Sequence, residues 1–480
     1  MVFGMVFSNL FFLFMFLIVV LGIYYALKPL PIVWRNVWLF VASIFFYAWG
    51  EPSFVLVMLG SIAMNYVWGL LVDKFRQSKA IKFLLFLVIG SNLTVLYIVK
   101  YLNFSRDIIN SVFGDVWHFN DILLPIGVSF YTFQAISYVI DVYRGKGAVQ
   151  KNPLNVGLYI AFFPQLIAGP IVRYDTIAKQ ITERKENVAD FAAGIERFLI
   201  GFCKKVLLAN SFAEVADITF DAAWLGQPLG ADFAWLGALA YAFQIFFDFS
   251  GYSDMAIGLG KMFGFHFDEN FNYPYFSDSV SDFWRRWHIS LGSWFRDYVY
   301  IPMGGSRVSK GRLIWNTFVV WSLTGIWHGA NWTFILWGLM YFVLIMFEKL
   351  TQIPQKVKHP VLKIAYRIFT LGSVLFGWII FRSATPGTVL RYVKTLFGMG
   401  NGGWHDERFI LHFSENWVFI IVAIALSVPL CGFLRNKIQR SAALDKIWSI
   451  AKPILLFGLF VISVTYLVVN SYNPFIYFNF

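Results

Sequence analysis

The chain has 480 residues, of which 58% are hydrophobic, 20% aromatic and only 14% charged; an ordinary soluble domain is about 25% charged. A mean hydropathy of +0.63 sets the chain apart from soluble proteins and places it among polytopic membrane proteins. The net charge of +12 does not mark a nucleic-acid binder, because the basic residues flank apolar stretches instead of forming one basic domain.

The first apolar stretch, residues 8–27, has no basic leader and no small-residue cleavage site. It is expected to stay as a first membrane span. Further spans are expected at 36–49, 53–72, 83–99, 122–142, 194–216, 234–258, 313–329, 331–348, 363–381, 417–434 and 453–470, since a hydrocarbon core of about 30 Å needs about 20 apolar residues per helix. The pattern predicts an all-α polytopic protein with about 11–12 transmembrane helices. Residues 1–480 read as a single integral-membrane domain without repeats. With the N-terminus outside, the inside loops hold 28 Lys and Arg and the outside loops hold 6. Both termini are therefore expected on the extracytoplasmic side. Cys203 and Cys431 lie in apolar stretches and read as packing residues, leaving neither a disulfide framework nor a cysteine metal site.

Several places along this array carry polar chemistry. Residues 154–172, LNVGLYIAFFPQLIAGPIV, are apolar but broken by Pro164, Gly169 and Pro170. Irregular backbone at membrane depth is tolerated where protein covers it or a cavity is lined. A re-entrant or interfacial segment is expected here. Asp248 and Asp254 fall within the 234–258 span and are expected to pair with Arg197, Lys204 or Lys205. Gly258, Gly260 and Gly264 read as close-packing positions, because no strand precedes them to make a dinucleotide site. Residues 271–305 mix aromatic and basic side chains and predict a second interfacial or re-entrant segment. Within it, Trp284, Arg285, Arg286, Trp287 and His288 fit either an anchor on anionic lipid or a phosphate-binding edge with His288 near the chemistry.

From Leu313 to Phe347 the chain runs for 35 residues without a charged side chain. As one helix it would measure about 52 Å, far more than a bilayer core. It must break, and Gly325, Gly329 and Asn331 mark the place. His328, in WHGANW with Trp327 and Trp332, therefore sits beside a break at membrane depth. An intramembrane histidine there is either a satisfied structural residue or a general base. His118, His266, His359, His405 and His412 read as surface residues in loops or at span ends. No G-x-S-x-G elbow, Walker A motif or H-E-x-x-H occurs, and no histidine has aspartate at +4 or +5. A covalent serine or cysteine enzyme is not expected.

The blocks WHGANWTFILWGLMYF and WRRWHISLGSWFRDYVYIPMGG carry a family resemblance. So do MVFSNLFFLF, LPIGVSFYTFQAISYVIDVYRG, FFPQLIAGPIVRY, FQIFFDFSGYSDMAIGLGKMFGFHFDENFNYPY and the final NPFIYFNF. Together they resemble the membrane-bound O-acyltransferases, in the branch of the bacterial alginate O-acetyltransferases. The resemblance implies a helical enzyme of the inner, cytoplasmic membrane with a central funnel. Its catalytic histidine falls on His328 and its second recurrent polar position on His288. Trp327, Asn331, Trp332, Arg285, Arg286 and Trp287 are the expected contacts to donor and acceptor. No cofactor is expected to stay bound. Acetyl-CoA, a cytoplasmic thioester, is the implied donor and an extracytoplasmic polysaccharide the implied acceptor, with a separate SGNH-like partner completing the transfer. Two other readings stay open at this point: a D-alanyl transferase for teichoic acid, and a transporter of polysaccharide or lipid without chemistry.

Overall fold

The structure is a computed structural model. It describes residues 5–469 and 472–476, and every regular element among them is helical. Residues 1–4, 470–471 and 477–480 lie outside the described residues, among them both chain termini and the last four residues of NPFIYFNF.

Among the described residues, eight helices are long and apolar enough to cross a membrane: Ile32–Gly50, Val55–Lys74, Ile81–Lys100, Ala231–Met262, Trp332–Thr351, Pro360–Arg382, Glu407–Ser427 and Ala442–Val469. The other four expected spans are helical as well, with departures that have local causes. Residues 8–27 form a π-helical turn, Phe12–Phe16, continued by Leu17–Ala26. The span expected at 122–142 begins late, as Val128–Arg144, because Pro125 precedes it and Gly127 takes a left-handed conformation (φ 74°) at its start. Residues 194–216 belong to a longer run, Val188–Cys203, Lys204–Ala209 and Asn210–Leu225, too rich in charge for a simple span. The 313–329 stretch is the helix Lys310–His328.

One expected boundary needs a larger correction. The span expected at 417–434 is the helix Glu407–Ser427, which starts ten residues earlier. Apolar content hides this start, because the first turns carry Glu407, Arg408, His412 and Glu415. Asp406 caps the helix by accepting the backbone N–H of Arg408. Its carboxyl is held down at about 2, first by the hydrogen bonds from the Arg408 side chain. Pro429 follows the helix end, and Leu430–Gln439 is a separate helix.

Two compact units account for the described chain. One comprises the chain up to Phe198 together with Tyr252–Asp268; the other comprises Leu199–Gly251 and the chain from Glu269 onward. In the first, the broken segment at 154–172 forms the short helices Pro153–Ala161 and Phe163–Leu166, and residues 155–172 are all buried. Protein thus covers the irregular backbone, as the low dielectric of a membrane requires. Asp254 pairs with Arg197 at 2.7 Å in this unit. Gly258 lets two helices touch, since a Cβ there would stand 2.6 Å from the carbonyl oxygen of Gly194.

In the second unit Asp248 pairs with Lys205 at 2.8 Å, and both side chains are buried. Residues 472–476 tie into the same pair. The Lys205 ammonium donates to the Pro474 carbonyl, and the Ile476 N–H donates to Asp248 Oδ2 at 2.8 Å. The helices Lys310–His328 and Trp332–Thr351 form a tight antiparallel hairpin in this unit. A Cβ on Gly325 would stand 2.5 Å from the Phe334 carbonyl oxygen, and one on Gly338 would stand 2.5 Å from that of Trp321. Only glycine fits at either position. We expect Gly338→Val to cost about 1–3 kcal/mol or more by overpacking, read as a lower melting temperature of the detergent-purified protein.

Candidate active site

The hairpin breaks where its length demanded. The first helix ends at His328, Gly329 is extended (φ −178°), and Asn331 caps the second by accepting the Thr333 N–H. The amide nitrogen of Asn331 donates to the Ala384 carbonyl at 3.0 Å. That cap stops the second helix from running on into the first and leaves His328 as the last residue of its helix. His328 is buried, and its ring lies in an aromatic shell. Trp327, Trp337 and Phe381 stand edge-on with centroids 5.0 Å away, and Phe334 is at 6.4 Å.

His288 comes from the broken segment. The short helices Val280–Arg286 and Ile289–Phe295 flank it, and it takes a left-handed backbone conformation (φ 46°) as the residue before the second. Such a conformation in a non-glycine residue is uncommon and must be held by its surroundings. Asn270 provides the hold. Its carbonyl accepts the Ile289 N–H at 3.0 Å, and its Oδ1 accepts the Ser290 N–H at 3.1 Å and the Ser290 hydroxyl at 2.9 Å. The same Oδ1 lies 3.2 Å from Nδ1 of His288. An oxygen acceptor at Nδ1 assigns the proton to that nitrogen, so Nε2 is the nitrogen that accepts.

A cavity of about 380 Å³ runs along this segment. Trp284, Arg285, Trp287, His288 and Arg296 line it from the broken segment, Trp321 and Thr324 from the first hairpin helix, and Ile345 and Lys349 from the second. Thr324 lies one turn before His328 on the same helix face. His328 does not line the cavity itself, but Trp327 connects the two histidines: its ring centroid is 6.1 Å from that of His288 and 5.0 Å from that of His328.

The other expected residues distribute unevenly. Arg285 is largely exposed and bonded to Asp282 at 3.3 Å, whereas Arg286 is held by Asp282 at 2.9 Å and is not among the cavity-lining residues. Trp287 is buried, and Trp332 is 52% exposed. Sequence reasoning assigned no role to Asn270, Arg296 or Lys349. Asn270 and Arg296 stand within quoted blocks, but only the fold brings Asn270 onto a histidine 18 residues away. Lys349 hydrogen-bonds the hydroxyls of Tyr300 and Thr317 at 3.4 and 3.3 Å. Of the histidines expected on the surface, His118, His266, His359 and His405 are exposed. His412 instead lies inside a helix and stacks on Phe233 at 5.3 Å.

Burial pushes the His288 imidazole down from 6.5 to about 3. It is neutral at ordinary pH. The unfolded chain takes up a proton below pH 6.5 that the folded chain refuses until about pH 3, so this contribution to stability is complete above 6.5 and is lost as the pH falls. The melting temperature of His288→Gln should therefore decline less steeply than that of the wild type as the pH falls below 6.5.

The profile of MBOAT, the membrane-bound O-acyltransferase family, matches residues 149–385, which include both histidines and the cavity. A probable alginate O-acetylase of Pseudomonas putida is 40% identical over 99% of this chain and 100% of its own length. A peptidoglycan O-acetyltransferase of Helicobacter pylori is 31% identical over 100% of this chain and 98% of its own. A teichoic acid D-alanyltransferase of Bacillus subtilis is 33% identical over 53% of this chain and 68% of its own. Full-length similarity, the family match and the apolar helical architecture lead to one conclusion: the chain belongs to the membrane-bound O-acyltransferase family and is an O-acyltransferase.

Proposed function

We propose that this membrane O-acetyltransferase takes an acetyl group from a cytoplasmic thioester, acetyl-CoA, and moves it across the membrane for O-acetylation of an extracytoplasmic polysaccharide, an alginate-like or other cell-surface polymer. The observation that carries the reading is the cavity lined by Arg285, Arg296, Lys349 and His288, with the Trp327 ring near both His288 and His328. Arg285, Arg296 and Lys349 in its lining supply positive groups suited to a phosphate-bearing donor. Trp284 and Trp287 offer apolar walls to the rest of the donor.

In this reading His328 is the catalytic base. It takes the proton of the acceptor hydroxyl as that oxygen attacks the thioester carbonyl. The carbon–oxygen bond forms, the carbon–sulfur bond breaks, and the departing thiolate takes the proton back from His328 and leaves as the thiol toward the cytoplasm. His288, neutral and accepting through Nε2, orients the donor end of the passage. Arg286, Asn331 and Trp332 are the remaining contact candidates, with Asn331 fixing the break that presents His328. The enzyme sits in the inner membrane with both termini extracytoplasmic, and an SGNH-like partner outside completes the transfer to polymer. The balance of Lys and Arg between expected loops, 28 to 6, supports that orientation. Likeness over the whole chain to O-acetyl transferring relatives, against 53% for a D-alanyl transferring one, supports acetyl as the group moved.

His328→Ala should lower polysaccharide acetylation by about 100-fold or more while expression and membrane insertion stay normal. Wild-type acetylation in that variant would overturn the assignment. With purified enzyme, Arg285→Ala combined with Arg296→Ala should raise the KM for acetyl-CoA by about tenfold and leave kcat within about twofold. Faster turnover with a D-alanyl thioester would instead favour the teichoic acid reading.

A further inference from the structure

The helix Val280–Arg286 carries Trp284 and Arg285 and leads directly into Trp287 and His288. It has only seven residues, and a helix this short is not stable through its own hydrogen bonds. The first N–H groups of any helix also lack partners within it. Here they are met from outside. Ser279 accepts the Asp282 N–H through its side chain. The two preceding N–H groups, of Val280 and Ser281, donate to Oε1 and Oε2 of Glu348, each at 2.8 Å. Glu348 comes from the last turn of the helix Trp332–Thr351, and it is buried at 4% exposure. Tyr366 donates its phenol to Glu348 Oε1 at 2.8 Å from a third helix, Pro360–Arg382. The neighbours of Glu348 on its own helix, Ile345 and Lys349, line the cavity.

We infer that Glu348 is a positioning residue for the donor side of the site: its carboxylate fixes the start of the 280–286 helix and thereby the placement of Arg285, Trp287 and His288 at the cavity. The inference rests on the donor-side reading proposed above. Two carboxylate oxygens take two adjacent N–H groups, which fixes the short helix in rotation as well as in position. The same long helix begins at the Asn331 cap beside His328 and carries Glu348 in its last turn. One rigid element therefore references both histidine-bearing segments. A neutral amide does not replace the carboxylate, because its NH₂ group would face a donor.

The test uses the full chain purified in detergent. In Glu348→Gln, hydrogen exchange should rise about tenfold in peptides covering 280–288 and stay unchanged in the hairpin helices. The KM for acetyl-CoA should rise about fivefold with kcat within about twofold. Tyr366→Phe removes only the hydroxyl and keeps both N–H bonds, and it should leave exchange at 280–288 and the KM as in the wild type. A general packing role for the Glu348–Tyr366 contact would move both variants alike and overturn the inference. Unchanged exchange at 280–288 in Glu348→Gln would also overturn it. If Glu348→Gln does not accumulate, Ser279→Ala, which opens the same helix end, must give the localised exchange and the rise in KM, and its failure to do so counts against the inference. The combined Arg285→Ala and Arg296→Ala variant separates the two readings. If it raises the KM and Glu348→Gln does not, the positioning role fails. If neither changes the KM although exchange at 280–288 accelerates, the donor-side reading fails and the hold of Glu348 on the helix stands.

Discussion

Two helical backbones meet without intervening side chains where Gly325 faces Gly338, and the placement of His328 depends on that meeting. An apolar run of 35 residues enters this region, and it can remain within a bilayer only by turning back. Turning exposes carbonyl groups at one helix end and N–H groups at the other, which a membrane interior does not satisfy. Asn331 meets part of that need by capping one helix and bonding the Ala384 carbonyl. The glycine contact meets the rest of the constraint, bringing the helices close enough for a three-residue connection. A histidine that ends a helix at such a turn is buried and rigid, surrounded by ring edges instead of water.

Much of this was legible from residue type and length. The break at 329–331 followed from arithmetic on helix rise, and the pairing of Asp248 and Asp254 with preceding cations followed from the cost of leaving a carboxylate alone in an apolar span. Choice among chemically equal partners was not legible. Lys204 and Lys205 are adjacent and identical in type, and only the helix face selects Lys205 for Asp248. Asn270 left no signal either, since one amide in an aromatic loop has no periodicity to betray a contact 18 residues away. The boundary near residue 417 was misplaced for a related reason: hydropathy weighs side chains, whereas Asp406 starts that helix through a backbone N–H.

The donor side and the His328 side are built by different means. Around His328 the partners are rings, and the constraint is shape. Around His288 they are amides, hydroxyls and a backbone conformation that non-glycine residues seldom adopt. The first arrangement excludes water, strengthening any charge that develops there. The second fixes a tautomer, which decides that Nδ1 donates and Nε2 accepts. The hairpin helix from Trp332 to Thr351 serves both, with Trp337 against His328 and Glu348 at the start of the segment that leads to His288.

The tail that meets Lys205 and Asp248 has a consequence for biogenesis. Pro474 is synthesised 269 residues after Lys205, and Ile476 228 residues after Asp248. Until then the ion pair has each other but not the backbone groups that complete its coordination. A buried pair with unfilled hydrogen-bond capacity is costly in a low dielectric. The second unit therefore reaches its final packing only after most of the chain has left the ribosome.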